Sequence, residues 1–218
     1  MKKKVIKTIS LFILSVHLFV VTAQDKTFSE PQLSSPESWS MILLPDPQAY
    51  IKFDYNQPLL NLMLAWIVKN QEQLNIQLVM CTGDLVEQNE LLNPDGINGN
   101  QPSIAQWEAV SKAFGRLDGK IPYVLTIGNH DYGYKSAENR NTNFDTYFPP
   151  NKNNLNQKLL KEVGYNSEQM PTLANAAFEF ISPHGKKFLV LALEFAPRDE
   201  TLVWAKKIIE QKKYSEHT

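Results

Sequence analysis

The chain has 218 residues, of which 43% are hydrophobic and 21% are charged, and its formal net charge is −1. These proportions are those of a globular protein of one ordinary domain, and they exclude an intrinsically disordered chain. Without the first 23 residues, which carry four lysines and no acids, the charge becomes (22 − 4) − 23 = −5. No net positive charge then remains to attract a nucleic-acid backbone or an anionic membrane surface.

The first 23 residues have the pattern of a secretory signal peptide. Four lysines lie among the first seven residues, an apolar stretch covers residues 9–21, and Val21-Thr22-Ala23 is a small-residue cleavage site. An uncleaved membrane anchor is the alternative, but the apolar stretch is short and contains two serines and a histidine. We therefore expect a secreted or periplasmic protein with no stable membrane anchor after cleavage.

Residues 24–38 contain two prolines and four serines, which predicts a flexible polar leader. The folded domain is then expected at residues 39–218. Cys81 is the only cysteine, which excludes an internal disulfide, and its place in an apolar run indicates a small buried hydrophobe.

The first half of this domain alternates strand and helix patterns. Strand one is predicted at residues 40–48, where SMILLPDPQ is an apolar run that ends in an Asp-x-Gln motif. Apolar residues at helical spacing predict a helix at residues 58–74. The run IQLVMCTGDLV, at residues 76–86, predicts strand two with a Gly-Asp motif at its end. Residues 88–101 form a long loop of the kind that is usually functional or mobile, and we place it at the mouth of a site.

The next helix is predicted to begin near Ser103, where Ser103 and Gln106 fit a capping box. The stretch IPYVLTIGNHDYG then predicts a buried strand over residues 121–127 that breaks at a Gly-Asn-His-Asp motif. Residues 132–175 are either a lid or substrate loop or a surface excursion, with one helix predicted at residues 155–163.

The end of the chain is predicted to form a hairpin and a helix. The hairpin pairs residues 176–181 with residues 187–195 and turns at the sequence Ser-Pro-His-Gly. The helix follows at residues 199–212.

Three predicted strands thus end in polar side chains, in the order Asp-x-Gln, Gly-Asp and Gly-Asn-His-Asp. In open α/β sheets, ligands bind in the crevice beyond the carboxyl ends of the strands. Each motif alone has an ordinary alternative, since Gly-Asn is turn-prone and a single Gly-Asp is weak evidence. Three motifs in this order, with a helical pattern between each pair, predict an α/β fold with a functional site at one sheet edge.

This order of motifs resembles that of the calcineurin-like metallophosphoesterases, the superfamily that includes purple acid phosphatases and Ser/Thr phosphatases. The resemblance covers roughly residues 40–212 and includes the segment FLVLALEF followed by a helix, as in secreted bacterial members. It implies an α/β fold of the αββα sandwich type, of which this chain would form the N-terminal portion only. It also implies two divalent metal ions, Mn, Fe or Zn.

Residue by residue, the resemblance assigns metal ligands and two catalytic side chains. The ligand positions are matched by Asp46, Gln48, Asp84 and Asn129. In this scheme Asp84 bridges the two metals, His130 stabilises the transition state or protonates the leaving oxygen, and Asp131 orients the imidazole. Gln48 stands where most members have His, and Gln is found there in some members that cleave nucleotide-type diphosphates.

The family also supplies a later histidine and a Gly-His-x-His pair, which this sequence does not contain. Beyond the signal peptide its histidines are His130, His184 and His217. His184 is expected to be solvated in the hairpin turn, and His217 is expected to lie in a fraying tail. The resemblance therefore predicts a chain truncated before the C-terminal histidine motifs, with an incomplete second metal site. A sheet cut in this way would leave an unpaired edge and an uncovered apolar face.

The first functional hypothesis is a metal-dependent hydrolase of small-molecule phosphate esters or nucleotide-type diphosphates, in which two metals activate the attacking hydroxide. The alternative is a catalytically incomplete, truncated family member that retains at most a partial metal or phosphate site. A purely structural secreted module is a third hypothesis, but it leaves three acidic strand ends unexplained.

Overall fold

Three apolar strands form a parallel sheet with the order β1, β2, β3. In the computed structural model of the chain, which describes residues 29–218, these strands are β1 (Ser40–Leu44), β2 (Ile76–Cys81) and β3 (Tyr123–Leu125). Their last residues lie opposite one another in the ladder, so the carboxyl ends of all three strands meet at one edge of the sheet.

The predicted signal peptide and the first part of the predicted leader, residues 1–28, lie outside the described residues. The end of the leader is held at two points. A ring nitrogen of His184 lies 2.6 Å from the carbonyl oxygen of Glu37, and the Asn75 side chain donates to the carbonyl of Ser38 at 3.1 Å. Among the helices that the structure describes, none has the length and apolar content that crossing a membrane requires.

Helices cover one face of this sheet. A single turn, α1 (Gln48–Ile51), follows β1, and two longer helices follow as predicted: α2 (Gln57–Lys69) and α3 (Ser103–Phe114). Leu64 of α2 and Trp107 of α3 are 0% exposed and belong to the same hydrophobic core as the strands.

Local hydrogen bonds alter the predicted ends of these helices. Helix α2 ends at Lys69, before the predicted end at residue 74. Just beyond it, the Asn70 side chain donates to the Trp66 carbonyl at 2.7 Å, a local hydrogen bond that competes with continuation of the helix. The capping box at the start of α3 is not formed, because the Ser103 hydroxyl donates to the Asn89 carbonyl and Gln106 accepts from the backbone of the same loop. Both side chains satisfy loop backbone groups that have no partner in a regular element.

A second sheet is antiparallel, with the order β4 (Leu160–Tyr165), β5 (Pro171–Ile181) and β6 (Lys187–Ala192). The pairing of β5 with β6 confirms the predicted hairpin. The turn between them contains Gly185 with a φ of 79°, a conformation that favours glycine.

The segment between β3 and the second sheet holds two short helices, α4 (Phe144–Tyr147) and α5 (Asn154–Leu159). The predicted helix at residues 155–163 is therefore wrong in its second half, where the chain has already entered β4. Leu160 and Val163 have a spacing that suits a helix, but both pair with β5 and pack against the main core. Pairing with a long neighbouring strand outweighs local spacing.

The second sheet lies between the main core and the last helix, α6 (Asp199–Ile209). Ala176 and Phe178 of β5 are buried in the main core, whereas Ala177, on the opposite face of the strand, packs with Ile208 of α6. The layers are therefore helices, parallel sheet, antiparallel sheet and helix. This confirms the predicted αββα sandwich.

The last residues of the chain pack on the second sheet. Thr218 makes two main-chain hydrogen bonds with β6. The His217 side chain is 3% exposed, lies edge-on to the Tyr214 ring, and is 3.5 Å from the Glu179 carboxylate without alignment for a hydrogen bond. The prediction of a fraying tail was wrong, because these contacts fix its position. His184 lies exposed in the hairpin turn, as predicted.

Candidate metal centre

The Asp-x-Gln motif lies where β1 ends and α1 begins. Asp46 is exposed with a φ of 40°, and Gln48 is the first residue of α1. The Gln48 N–H donates to the Asp84 carbonyl at 2.9 Å, so the first motif contacts the second directly. Asp84 also has a positive φ, of 50°. Such conformations are uncommon outside glycine and collect at functional sites.

The second and third motifs meet through two glycines. Gly83 has a φ of 100°, and a Cβ added there would lie under 3.0 Å from backbone atoms of Ile127 and Gly128. A Cβ on Gly128 would lie equally close to the backbone and carboxylate of Asp84. Glycine at both positions is therefore what lets the ends of β2 and β3 approach this closely.

The Asp84 carboxylate lies at this junction. Its Oδ1 accepts the His130 N–H at 3.0 Å. Burial raises the pKa of Asp84, and the nearby charges of Asp46 and Glu87 raise it further, while the His130 N–H and ring oppose the rise. A divalent cation would favour the charged form of a carboxylate that burial and its acidic neighbours disfavour.

The Gln48 side chain supports a cation at the same edge. Its amide oxygen Oε1 is buried and accepts no hydrogen bond from any residue in the described part of the chain. A buried acceptor without a donor costs about 1–3 kcal/mol, and coordination to a cation would remove that cost. Carboxylate and amide oxygens are the donors that hard divalent cations take in proteins. The donor set therefore fits such an ion.

The described residues supply only part of the predicted two-metal site. Within residues 29–218, no three His, Cys, Asp or Glu side chains lie close enough together to hold a metal ion. The predicted ligands are two carboxylates and two amides: Asp46, Asp84, Gln48 and Asn129. Asn129 donates from Nδ2 to the Ser136 hydroxyl at 2.7 Å, so Oδ1 is its donor atom for an ion. Both ions stay predictions.

His130 is oriented by a backbone carbonyl. Its Nδ1 lies 2.8 Å from the carbonyl oxygen of Glu87, whose side chain forms an ion pair with Lys52 at 3.3 Å. Because a carbonyl oxygen only accepts, Nδ1 carries the proton in the neutral ring and Nε2 is the unprotonated nitrogen. The backbone carbonyl of Glu87, and not the predicted Asp131 carboxylate, therefore orients the His130 ring.

Asp131 instead fixes the backbone where β2 and β3 end. It is 0% exposed, its Oδ2 accepts the Gly128 N–H at 2.9 Å, and its Oδ1 accepts the Val86 N–H at 3.0 Å. Burial raises the pKa of Asp131 to about 7, although these N–H groups oppose the rise. The carboxylate therefore joins the third motif to the segment that follows the second.

The long loop after β2 begins beside the third motif. Asn89 is 1% exposed, and its Oδ1 accepts from the Trp107 indole at 3.1 Å and from the Asn143 N–H at 2.9 Å. The next residue, Glu90, donates from its N–H to the Gly133 carbonyl at 3.0 Å. These bonds set the start of the loop at the same edge as the motifs, in keeping with its predicted place.

Two acidic residues near the motifs, Glu87 and Glu194, escaped sequence analysis, and so did the hydrogen bond that Tyr132 makes. Tyr132 directly follows the third motif, and its hydroxyl donates to Glu194 Oε2 at 2.9 Å. Glu194 is detectable in principle, because it ends the apolar run FLVLALEF as Asp46 and Asp84 end theirs. Glu87 acts through its backbone carbonyl, for which the sequence carries no signal.

Comparison with known proteins identifies a family and a similar bacterial protein. A family model for calcineurin-like phosphoesterases matches residues 45–213, which contain all the motif residues described above. The chain is also 27% identical over 147 residues to the uncharacterized protein YvnB of Bacillus subtilis (strain 168). This similarity covers 67% of the chain but only 10% of YvnB, so the chain spans a small part of that relative's length.

Proposed function

Because the chain belongs to the calcineurin-like phosphoesterase family, we propose that it hydrolyses a small phosphate ester or a diphosphate with the help of a divalent cation. The observation that carries this proposal is the buried, unpartnered Oε1 of Gln48, whose backbone is bonded to Asp84. It supports the joined ends of β1, β2 and β3 as the proposed place for the ion.

The ion would be held by oxygen atoms of four side chains: Asp46, Gln48, Asp84 and Asn129. A divalent cation supplies Lewis acidity towards a phosphoryl oxygen and towards water. His130 presents Nε2 as its proton-accepting atom, and once protonated it can donate to a phosphate or leaving-group oxygen. Glu87 holds the ring in this tautomer, and Asp131 holds the backbone on which the ring is carried.

The predicted signal peptide supports a site of action outside the cytoplasm. Gln48 in place of the more common histidine favours nucleotide-type diphosphates among the possible substrates. Both points extend the proposal.

A second candidate function is binding without turnover, and one observation favours it. The part of the chain that the structure describes contains no cluster of three His, Cys, Asp or Glu side chains. Such a protein would hold one cation or one phosphate group at the same edge and would lack the second ion on which two-metal hydrolysis depends.

The test is a calorimetric titration with Mn²⁺, with an assay of the same sample on an aryl phosphate monoester and diester. We expect Mn²⁺ binding and Mn²⁺-dependent hydrolysis, and Asp84→Asn should lower kcat/KM by at least about 100-fold because it removes a carboxylate from the ion. Asp118→Asn is the control, since Asp118 accepts the Tyr123 hydroxyl, at the start of β3, and an amide oxygen can still do so.

The outcomes separate the two candidates. Binding without turnover would favour the incomplete site. Hydrolysis that is the same in Asp84→Asn as in the wild type would contradict a role for this edge in catalysis, and unchanged Mn²⁺ binding would contradict its role in holding the ion.

A further inference from the structure

Tyr132 joins the loop of the third motif to the second sheet. It directly follows Asp131, is 2% exposed, and donates from its hydroxyl to Glu194 Oε2 at 2.9 Å. Glu194 lies two residues after the end of β6 and is also 2% exposed. A residue at the exit of the motif loop is thus tied to the antiparallel sheet.

The Glu194 carboxylate is itself fixed by the start of α6. Its Oε1 accepts from the Arg198 Nε at 2.9 Å and from the Thr201 hydroxyl at 2.6 Å, which leaves Oε2 for Tyr132. The Glu194 N–H donates to Asn175 Oδ1 at 2.9 Å. Because several donors hold this buried carboxylate in one favoured position, it also fixes the position of the Tyr132 hydroxyl that donates to it.

Two further contacts join the same segments. The Thr126 hydroxyl at the end of β3 donates to the Leu193 carbonyl. The Arg140 guanidinium lies 5.2 Å above the centre of the Tyr132 ring and donates to the carbonyls of Phe195 and Ala196 at 2.6 and 2.8 Å. The segment that follows β6, residues 193–196, therefore contacts and stabilises the motif loop, residues 128–132.

We propose that Tyr132 and Glu194 are positioning residues that set the geometry of the loop carrying Asn129 and His130. Asp131 anchors this loop at its start through the Gly128 N–H, and Tyr132 anchors it at its exit. With both anchors in place, the positions of Asn129 Oδ1 and His130 Nε2 relative to the Asp84 carboxylate stay fixed. The consequence for metal binding and turnover rests on the proposed function, whereas the consequence for the loop does not.

The domain contains a matched control for this tyrosine. Tyr123 is 3% exposed, and its hydroxyl donates to the Asp118 carboxylate at 2.9 Å, the same distance as in the Tyr132 pair. Tyr123 lies at the start of β3, at the end of the strand away from the motifs. Tyr→Phe removes a tyrosine–carboxylate hydrogen bond of the same length at both positions, although the Asp118 side chain is 29% exposed and Glu194 is 2% exposed.

The experiment compares Tyr132→Phe with Tyr123→Phe in the full chain. Amide hydrogen exchange is measured at Gly128 and His130, and urea unfolding gives the global stability. From the loss of global stability in Tyr132→Phe, one can calculate how much faster these amides should exchange. We expect the measured exchange to be at least about 10-fold faster than that value, because the loop would then open locally without global unfolding. Tyr123→Phe should show no such local excess.

Metal binding and kinetics give the functional readout. Tyr132→Phe should raise the Mn²⁺ dissociation constant by about 10–100-fold, the range seen when an outer support of a metal site is removed, and it should lower kcat more than it changes KM. In Glu194→Gln the single amide oxygen faces Arg198 and Thr201, which leaves the amide nitrogen towards Tyr132. This variant should therefore reproduce the local effect at the loop, and adding Tyr132→Phe to it should add little there.

Equal exchange at the motif loop in the two Tyr→Phe variants, or additive effects of Tyr132→Phe and Glu194→Gln, would overturn the proposal. If the wild type neither binds Mn²⁺ nor hydrolyses phosphate esters, the proposed function fails. The exchange comparison still decides whether Tyr132 and Glu194 position the loop.

Discussion

At the scale of single residues, Gly83 and Gly128 set how closely the motifs can meet. We expect Gly83→Ala to lower the free energy of unfolding by about 3 kcal/mol or more, because it adds a left-handed backbone cost of about 1–2 kcal/mol to an overlap with the β3 end. Urea unfolding monitored by circular dichroism measures this loss.

Gly185 provides the control for that prediction. Its φ is 79°, and a Cβ there would meet nothing within 4 Å. Gly185→Ala should therefore cost only the backbone strain of about 1–2 kcal/mol. If the two variants lost the same stability, close packing of the strand ends would not be the reason for glycine at residue 83.

The positions of the motif residues could be predicted from the sequence, but their hydrogen bonds could not. Asp46, Asp84 and His130 follow apolar runs, and parallel strands bring such ends to one edge. The partner of the His130 ring is a backbone carbonyl of Glu87, and the partner of Tyr132 lies in the other sheet. Both depend on three-dimensional packing that a one-dimensional pattern does not encode.

At the scale of secondary-structure elements, Glu194 links the end of β6 to the start of α6, and its charge makes that link sensitive to pH. Although burial by itself raises the pKa of Glu194, hydrogen bonds from Thr201 and Tyr132 and the charge of Arg198 lower it overall. A lowered pKa in the folded state means that the stabilisation is present above the unfolded pKa of about 4.3 and is lost as the pH falls through the folded value.

We therefore expect the stability difference between the wild type and Glu194→Gln to be largest at neutral pH and to shrink as the pH falls below about 4. Urea unfolding midpoints between pH 3 and pH 7, an interval that brackets the carboxyl pKa of about 4.3, measure this difference. Glu200→Gln removes an exposed carboxylate from the first turn of the same helix and should keep the wild-type pH dependence. A difference that stays constant with pH would contradict an ionised Glu194 in the fold.

Elements with a strong local pattern were predictable, and elements defined by their partner were not. The apolar stripe of α2 and the run of β2 follow from the sequence alone. In contrast, β4 is determined by its pairing with β5, in which the partly buried Leu160 and Val163 pack against the main core. A sequence pattern indicates local periodicity, whereas the conformation of β4 depends on pairing with another strand.

At the scale of the whole molecule, β1 is one of the two edge strands of the parallel sheet, and no described strand pairs with its outer side. Among residues 29–218, β1 is hydrogen-bonded to β2 alone, and its Met41 and Leu43 are 39% and 57% exposed. On the neighbouring α2, Leu62 and Trp66 are 65% and 39% exposed. The sequence did not predict which strand lies at this edge, because strand order follows from pairing between distant segments.

This edge predicts concentration-dependent self-association. An open strand edge flanked by exposed apolar side chains is a template for pairing with another chain, and a lysine on such a strand disfavours that pairing. We expect Leu43→Lys to weaken self-association by at least about tenfold, which corresponds to about 1.4 kcal/mol. Sedimentation velocity over a concentration series measures the change.

Leu92→Lys is the matched control, because Leu92 is 73% exposed but lies in the loop after β2. It should leave self-association as in the wild type, since adding a charge away from the edge blocks no strand pairing. If both variants weakened association equally, net charge rather than the β1 edge would govern it. If neither variant changed it, the contact between copies would lie on another surface and the β1 edge would not be the template.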